Sequence, residues 1–230
     1  MEYLFTGITD AGRLIIHCNP ELLRIVWVSI RVSGTALLFA ALAGIPLGFW
    51  VAVTTFPGKR AAVTLLNTLM GLPTVVVGLW GYSFLSRRGL LGSWGLLYTP
   101  GAMIIGQFVL ATPIIAALSL AAVQGINRQV ALTALTLGAS PRQKNWKVLS
   151  EAKFAILAAV IAGFGRIFAE IGASTMLGGN IQGYTRNITT AIAYETGKGE
   201  FSLGIALGII LLVIALGINI LLQVWQGKLE

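Results

Sequence analysis

Cysteine occurs once, at Cys18, and histidine once, at His17. One cysteine excludes a disulfide within the chain, and one histidine beside it supplies too few ligands for a metal. Both read as packing residues at an interface. No G-x-x-x-x-G-K-S/T phosphate loop is present: Gly58-Lys59 is followed by Arg60, and Gly197-Lys198 by Gly199. With its only histidine near the start, the chain shows no nucleophile–base–acid set, so it is not expected to be an enzyme, and no cofactor is expected in it. Charge is scarce as well. Charged residues make up 10% of the 230 positions, against about 25% in a soluble domain. Acidic residues number eight against sixteen lysines and arginines, a net charge of +8. The basic residues are scattered between apolar runs and form no basic face with interleaved aromatics, so the excess reads as membrane topology and not as nucleic-acid affinity.

What the chain has in quantity is apolar sequence: 56% hydrophobic residues and a mean hydropathy of +0.84. Five runs are long enough to cross a hydrocarbon core of about 30 Å. They lie near Ile25–Val53, Ala62–Leu85, Gly101–Val123, Phe154–Ser174 and Leu203–Val224. The first holds Arg31 and Gly44-Ile-Pro-Leu-Gly48, a small-xxx-small face with a proline kink. A tight basic turn, Pro57-Gly58-Lys59-Arg60, follows it. In the second run Gly71-Leu-Pro73 predicts a break in the helix. Ser86–Pro100 is a glycine-rich loop with Arg87 and Arg88, and the third run carries Gln107 and Pro113. Residues 1–21 lack the basic start and small-residue cleavage pattern of a secretory signal. Tyr3, Leu4, Ile8, Leu14 and Ile15 can share one helix side there, which predicts a segment lying on the membrane surface. No internal repeat is evident, which disfavours an inverted-repeat secondary transporter. The expected fold is an all-α polytopic membrane protein with five transmembrane helices.

One polar, basic island, residues 127–151, separates the third and fourth runs. It carries Arg128, Arg142, Lys144 and Lys147 against Glu151 alone, with Lys153 just beyond. Basic loops stay on the cytoplasmic side, so the island is expected there, the N-terminus outside and the C-terminus inside. On that topology eight basic residues fall inside and six outside. Within the island Val130–Leu137 suits a short helix stopped by Gly138. Ser140 then caps a second helix with Pro141 at its first position. The expected organisation is a single membrane domain over 1–230, with 1–21 interfacial, 127–151 a cytoplasmic coupling loop and 175–201 an extracytoplasmic loop.

The stretch TALTLGASPRQKNWKVL resembles the EAA loop of ABC-importer permeases, in which EAA is followed by three residues and a glycine. Gly138 and Ala134 match. Leu132 stands where an acidic residue is usual, Thr133 replaces the first alanine, and Ser150-Glu151 replace Leu-Pro. The usual polar contact from the first position therefore does not carry over. The resemblance implies docking in a groove of an ATPase subunit by Ala131, Leu132, Thr133, Ala134, Leu135, Leu137, Gly138, Ala139 and Ser140.

A second informative region is GFGRIFAEIGASTMLGGNIQGYTRNITTAIAYETGKG. Arg166 and Glu170 stand four apart on one helix face and are expected to avoid lipid, either as a structural ion pair or lining a wet path. Gly172, Gly178, Gly179 and Gly183, interspersed with Ser174, Thr175 and Asn180, suit either a nest of amides for an anion or a tight re-entrant turn. Arg186 follows, able to attract an anion or to dock a partner. R-x-x-x-E-x-G-A, GGNI-x-G-x-T-R and T-T-A-I-A, together with FPGKR and LLNTLMGLPTVVVGL, resemble the permeases of sulfate, molybdate and tungstate importers, the tungstate branch most closely. That resemblance covers about Leu22 to Gln223. It implies the type I importer permease fold and a homodimeric pore in a prokaryotic cell membrane, served by two cytoplasmic ATPases, which use ATP and Mg, and an extracytoplasmic oxyanion-binding protein. Tungstate leads as substrate, with molybdate next. The translocation path or gate would involve Arg166, Glu170, Ser174, Thr175, Gly178, Gly179, Asn180 and Arg186. A stand-alone channel or a multispan membrane enzyme is the other class; a channel has no need of a two-helix polar loop, and an enzyme calls for more convergent polar groups.

Overall fold

A computed structural model describes residues 20–227 together with 6, 8, 9 and 12. The surface segment expected over 1–21, with Tyr3, Leu4, Leu14, Ile15, His17 and Cys18, therefore lies largely outside the described residues. Among those described, regular structure is helical only. Helix α1 spans Pro20–Val53 and α4 spans Pro100–Gln124. Helix α10 spans Phe201–Gly227. These three are long and apolar enough to cross a membrane. Two further pairs qualify only when each is taken together: α2 (Lys59–Met70) with α3 (Thr74–Leu85), bent by 98°, and α6 (Pro141–Glu151) with α7 (Lys153–Phe168), bent by 59°. Short helices α5 (Arg128–Thr136), α8 (Gly172–Gly178) and α9 (Ile188–Gly197) complete the set.

Local chemistry explains most of these limits. The Lys59 ammonium donates to the carbonyls of Ala52 and Thr54, both at 2.9 Å, satisfying acceptors that the end of α1 leaves open. Gly58, at φ 88°, makes the reversal into α2 that a side chain would strain. The break at 71–73 is where Gly-Leu-Pro predicted it: Pro73 lacks the amide that a continuing helix would need. Thr99 caps α4 by accepting from the Ala102 amide, with Pro100 at the first position.

The expectation of one continuous run over Phe154–Ser174 is corrected. Helix α7 stops at Phe168, residues 169–171 break the path, and α8 begins at Gly172. The side chain of Glu170 takes the Ala173 amide at 2.7 Å. A carboxylate that captures a backbone donor three residues on starts a new helix there instead of prolonging the old one.

Packing centres on α4, whose buried face includes Leu110, Ala111, Ile115 and Ala116. Helix α1 lies against it at its two small-residue positions. A Cβ on Gly44 would come within 3.0 Å of the Thr112 carbonyl oxygen, and one on Gly48 would run into that of Ala116. Between membrane helices, where lipid tails are as apolar as leucine, such close backbone approach provides the packing energy. The outer faces are apolar and exposed, as at Leu38, Leu42, Leu212, Leu216 and Leu221, the surface a bilayer requires. Gly48→Leu should therefore lower the thermal midpoint of the detergent-purified protein sharply, an overpacking cost of about 1–3 kcal/mol. Gly34→Ala, on the same helix with nothing within 4 Å, should hold or raise it. Equal midpoints for both variants and the parent would remove the glycine contact from the basis of the fold.

Candidate functional site

Two places concentrate polar chemistry, one at each end of the helix array. The first surrounds the break between α7 and α8. Glu170, 2% exposed, is fully buried. One of its carboxylate oxygens accepts from the Ala173 amide at 2.7 Å and the other lies 3.4 Å from an Arg166 guanidinium nitrogen. Its backbone carbonyl accepts from the Thr189 hydroxyl at 2.7 Å. The sequence-predicted pair thus meets, with unequal burial: the Arg166 side chain is 39% exposed. Glu170 joins three segments, and Arg166 is the charge that makes a buried carboxylate tolerable.

Helix α8 is held as a knob in sockets lined by glycine. Met176 fills the space at Gly78 of α3, Leu177 packs on Gly81 and on Gly106 of α4, and Met103 of α4 packs on Gly178. Ser174 is buried and lies 3.4 Å from the Gln107 amide nitrogen, whose partner atom Oε1 has no hydrogen bond among the described residues. Thr175 is exposed and its hydroxyl donates to the Ile171 carbonyl. Of the amides suggested for an anion nest, that of Gly179 donates to the Thr175 carbonyl at 2.9 Å and Gly178 is buried in the socket. The glycines therefore serve close packing and, at Gly179 (φ 71°) and Gly183 (φ 74°), chain reversal.

Beyond α8 the chain is fastened by hydroxyls. Thr185 donates to the Gly178 carbonyl at 2.6 Å and accepts from the Ile181 amide. Asn187 and Thr190 form a capping box on α9, and the Ser29 hydroxyl of α1 accepts the Ile188 amide at 2.9 Å. Arg186 is not a rim charge here. It is buried, donates to Asn180 at 3.2 Å, lies 3.8 Å from Glu21, and stacks 4.5 Å from the Tyr194 ring centre. Asn180 itself sits at φ 49°. Sequence reasoning singled out neither Gln107 as a partner of Ser174 nor the hydroxyl ladder Ser29, Thr185, Asn187, Thr189, Thr190. The Asn-x-x-Thr spacing of the capping box was the readable signal.

The second place is the helical hairpin α5–α6. Asn127 caps α5 by accepting from the Gln129 amide, and Gly138 (φ 83°) makes the turn. Ser140 and Gln143 close a capping box on α6. Val148 joins Val123, Ala152 and Ile156 in one cluster, which ties the hairpin to the C-terminal end of α4 and the start of α7. Ala131, Ala134 and Ala139 are half-buried, whereas Leu132, Thr133, Leu135, Gly138 and Ser140 are exposed. Leu137 is 82% exposed and Trp146, which the sequence reading passed over, 73%. Leu132, Leu135, Leu137 and Trp146 thus leave apolar side chains exposed on an otherwise polar hairpin. The Lys147 ammonium, 2.6 Å from Glu151, holds that carboxyl below its ordinary value. Among the described residues no group of three or more histidine, cysteine or acidic side chains could hold a metal.

Comparison with known proteins agrees along the whole length. The profile of the family described as "Binding-protein-dependent transport system inner membrane component" matches residues 44–230. The tungstate uptake system permease protein TupB of Peptoclostridium acidaminophilum is 38% identical, covering 99% of this chain and 100% of that one. A probable anion ABC transporter permease protein of Haloferax volcanii is 40% identical over 87% of this chain and 88% of its own. In three dimensions a chain of the MetNI methionine ABC transporter, solved in inward-facing conformations, superposes with a TM-score of 0.74 at 21% identity, covering 92% of this chain and 97% of that one.

The unequal environments of Arg166 and Glu170 generate a specific expectation. Glu170→Ala should cost on the order of 3 kcal/mol, since it removes both the acceptor of the Ala173 amide and the acidic partner of Arg166. Arg166→Met should cost less, and the double variant should show a coupling of about 1 kcal/mol in a thermal-stability cycle. Additive losses would show that the guanidinium and carboxylate do not interact.

Proposed function

The chain belongs to the family of binding-protein-dependent transport system inner membrane components, and from that premise we propose that it is the permease subunit of an ATP-driven oxyanion importer, with tungstate the leading substrate and molybdate next. What carries the reading to an anion is near-full-length similarity at 38% identity to a tungstate uptake permease. The hairpin's exposed Leu132, Leu135, Leu137 and Trp146 support coupling to a partner. Two copies form the pore, as a single permease domain over 1–230. Each copy crosses the membrane five times, with the bent pair α2–α3 counted as one span and the fourth made by α7 with α8, while α6 stays in the cytoplasmic hairpin, the N-terminus outside and the C-terminus inside. Two cytoplasmic ATPases use ATP and Mg, and an extracytoplasmic binding protein delivers the ion.

Mechanism follows from the two rigid ends. Residues 127–151 dock on the ATPase through Ala131, Leu132, Thr133, Ala134, Leu135, Leu137, Gly138, Ala139 and Ser140, with Trp146 added. When ATP draws the two ATPases together, the hairpin moves as a body, because its caps fix both helices and the Val148 cluster transmits the shift to α4 and α7. The pore then exchanges inward-open for outward-open populations. At the other end, α8 with Ser174, Thr175, Gly178, Gly179 and Asn180 acts as a plug fastened by Glu170 and Arg186 through residues 175–201. It passes an ion when its sockets on α3 and α4 separate.

Coupling is tested with the complete transporter in liposomes. Leu137→Glu with Trp146→Glu should leave the permease dimer's thermal midpoint unchanged, since both side chains are exposed. Oxyanion-stimulated ATP hydrolysis should fall at least about tenfold, a loss of at least about 1.4 kcal/mol of contact energy. Full stimulation in that variant would place the ATPase contact elsewhere.

A further inference from the structure

The loop between α3 and α4 holds a cavity of about 670 Å³, walled in part by Leu85 and Leu97, that is separate from both places described above. Ser86, Arg87, Arg88, Tyr82 and Tyr98 line it and no acidic side chain does. Neither arginine takes part in an ion pair or hydrogen bond among the described residues, and both are exposed. Nor can nearby sequence neutralise them, because no aspartate or glutamate occurs between Glu21 and Glu151. On the topology proposed above, the two arginines fall on the translocated face. Basic residues there run against the charge bias that sets orientation, so their presence needs a reason beyond topology.

Tyr98 provides an independent sign. Its φ is 62°, a left-handed conformation that is an outlier for a bulky residue and that persists only where surroundings enforce it. They do so from α8. The Tyr98 amide donates to the Leu177 carbonyl at 2.8 Å, and its ring lies where a Cβ on Gly179 would be. The strained backbone aims this ring at Tyr82, with ring centres 6.5 Å apart. The neighbouring Tyr82 holds the Tyr98 phenol above its ordinary value.

We propose that this cavity is a binding site for a tetrahedral oxyanion, recognised by the guanidiniums of Arg87 and Arg88 and the hydroxyls of Tyr82, Tyr98 and Ser86. Guanidiniums suit such a ligand because their planar forks match two of its oxygens at once. Neutral hydroxyl donors add contacts without enough charge to trap it. Through Tyr98 the site abuts α8, so an ion resting there waits beside the plug. This inference rests on the transport reading for the identity of the free ion; the other source of the same chemistry is the phosphate of an anionic lipid headgroup.

The test uses the complete transporter in phosphatidylcholine nanodiscs, titrated with sodium tungstate in a calorimeter without the binding protein. In parallel, phosphatidylglycerol retained through purification is counted by mass spectrometry. Arg87→Gln with Arg88→Gln should weaken tungstate binding at least about tenfold, with the parent's affinity falling as salt is raised. Tyr98→Phe keeps the ring and the backbone, so its midpoint should match the parent while affinity drops several-fold. Tungstate binding unchanged with phosphatidylglycerol lost would assign the site to the headgroup. Neither ligand affected by the paired arginine substitution would overturn the site. A parent transporter whose ATP hydrolysis tungstate fails to stimulate would instead overturn the transport reading, and the binding comparison would still judge the cavity.

Discussion

Lipid offers no hydrogen bonds, so a helix that breaks at membrane depth must have its freed amides and carbonyls satisfied by the protein itself. Much of the polar chemistry in this chain answers that requirement. The break at 169–171 is met by the Glu170 carboxylate on the Ala173 amide and by the Thr189 hydroxyl on the Glu170 carbonyl. The turn after α8 is met by Thr185, and the start of α9 by Asn187, Thr190 and Ser29. Arg166 is the companion this use of a carboxylate calls for: a buried acidic side chain is best tolerated with an opposite charge beside it.

Small residues do the complementary work. Gly44 and Gly48 bring α1 onto α4, while Gly78, Gly81 and Gly106 open the sockets that receive Met176 and Leu177. A socket of glycine gives close contact without interlocking side chains. Met176 and Leu177 seat there against backbone, so the contact between α8 and its neighbours depends on these positions staying without a Cβ. The hairpin α5–α6 is the reverse case, fixed by two side-chain caps and a left-handed glycine at its turn.

Long apolar runs made the helices legible, and the chemistry of Gly71-Leu-Pro73, Gly138 and Ser140-Pro141 made their local boundaries legible. Arg166 and Glu170 were readable as a pair because four-residue spacing is a local property. What the sequence hid depends on long-range contact. The break after Phe168 required knowing that Glu170 would turn to an amide and not to solvent. The burial of Arg186 required Glu21, which is 165 positions away by residue number, to lie at the same end of the array. The glycines from Gly172 to Gly183 suited either an amide nest or a tight turn, because glycine is permissive for both, and only the fold brings Met103 against Gly178 and Tyr98 against Gly179.

The bent pair α2–α3 has a consequence for how this protein is made. Each half has 12 residues, about 18 Å of helix, against a hydrocarbon core of about 30 Å. Neither half is long enough to cross the bilayer as an independent span. The side of α3 that carries Gly78 and Gly81 is completed only by Met176 and Leu177, which are synthesised about a hundred residues later. The pair α2–α3 therefore reaches its final packing only after translation has delivered α8, so its own synthesis precedes its completion.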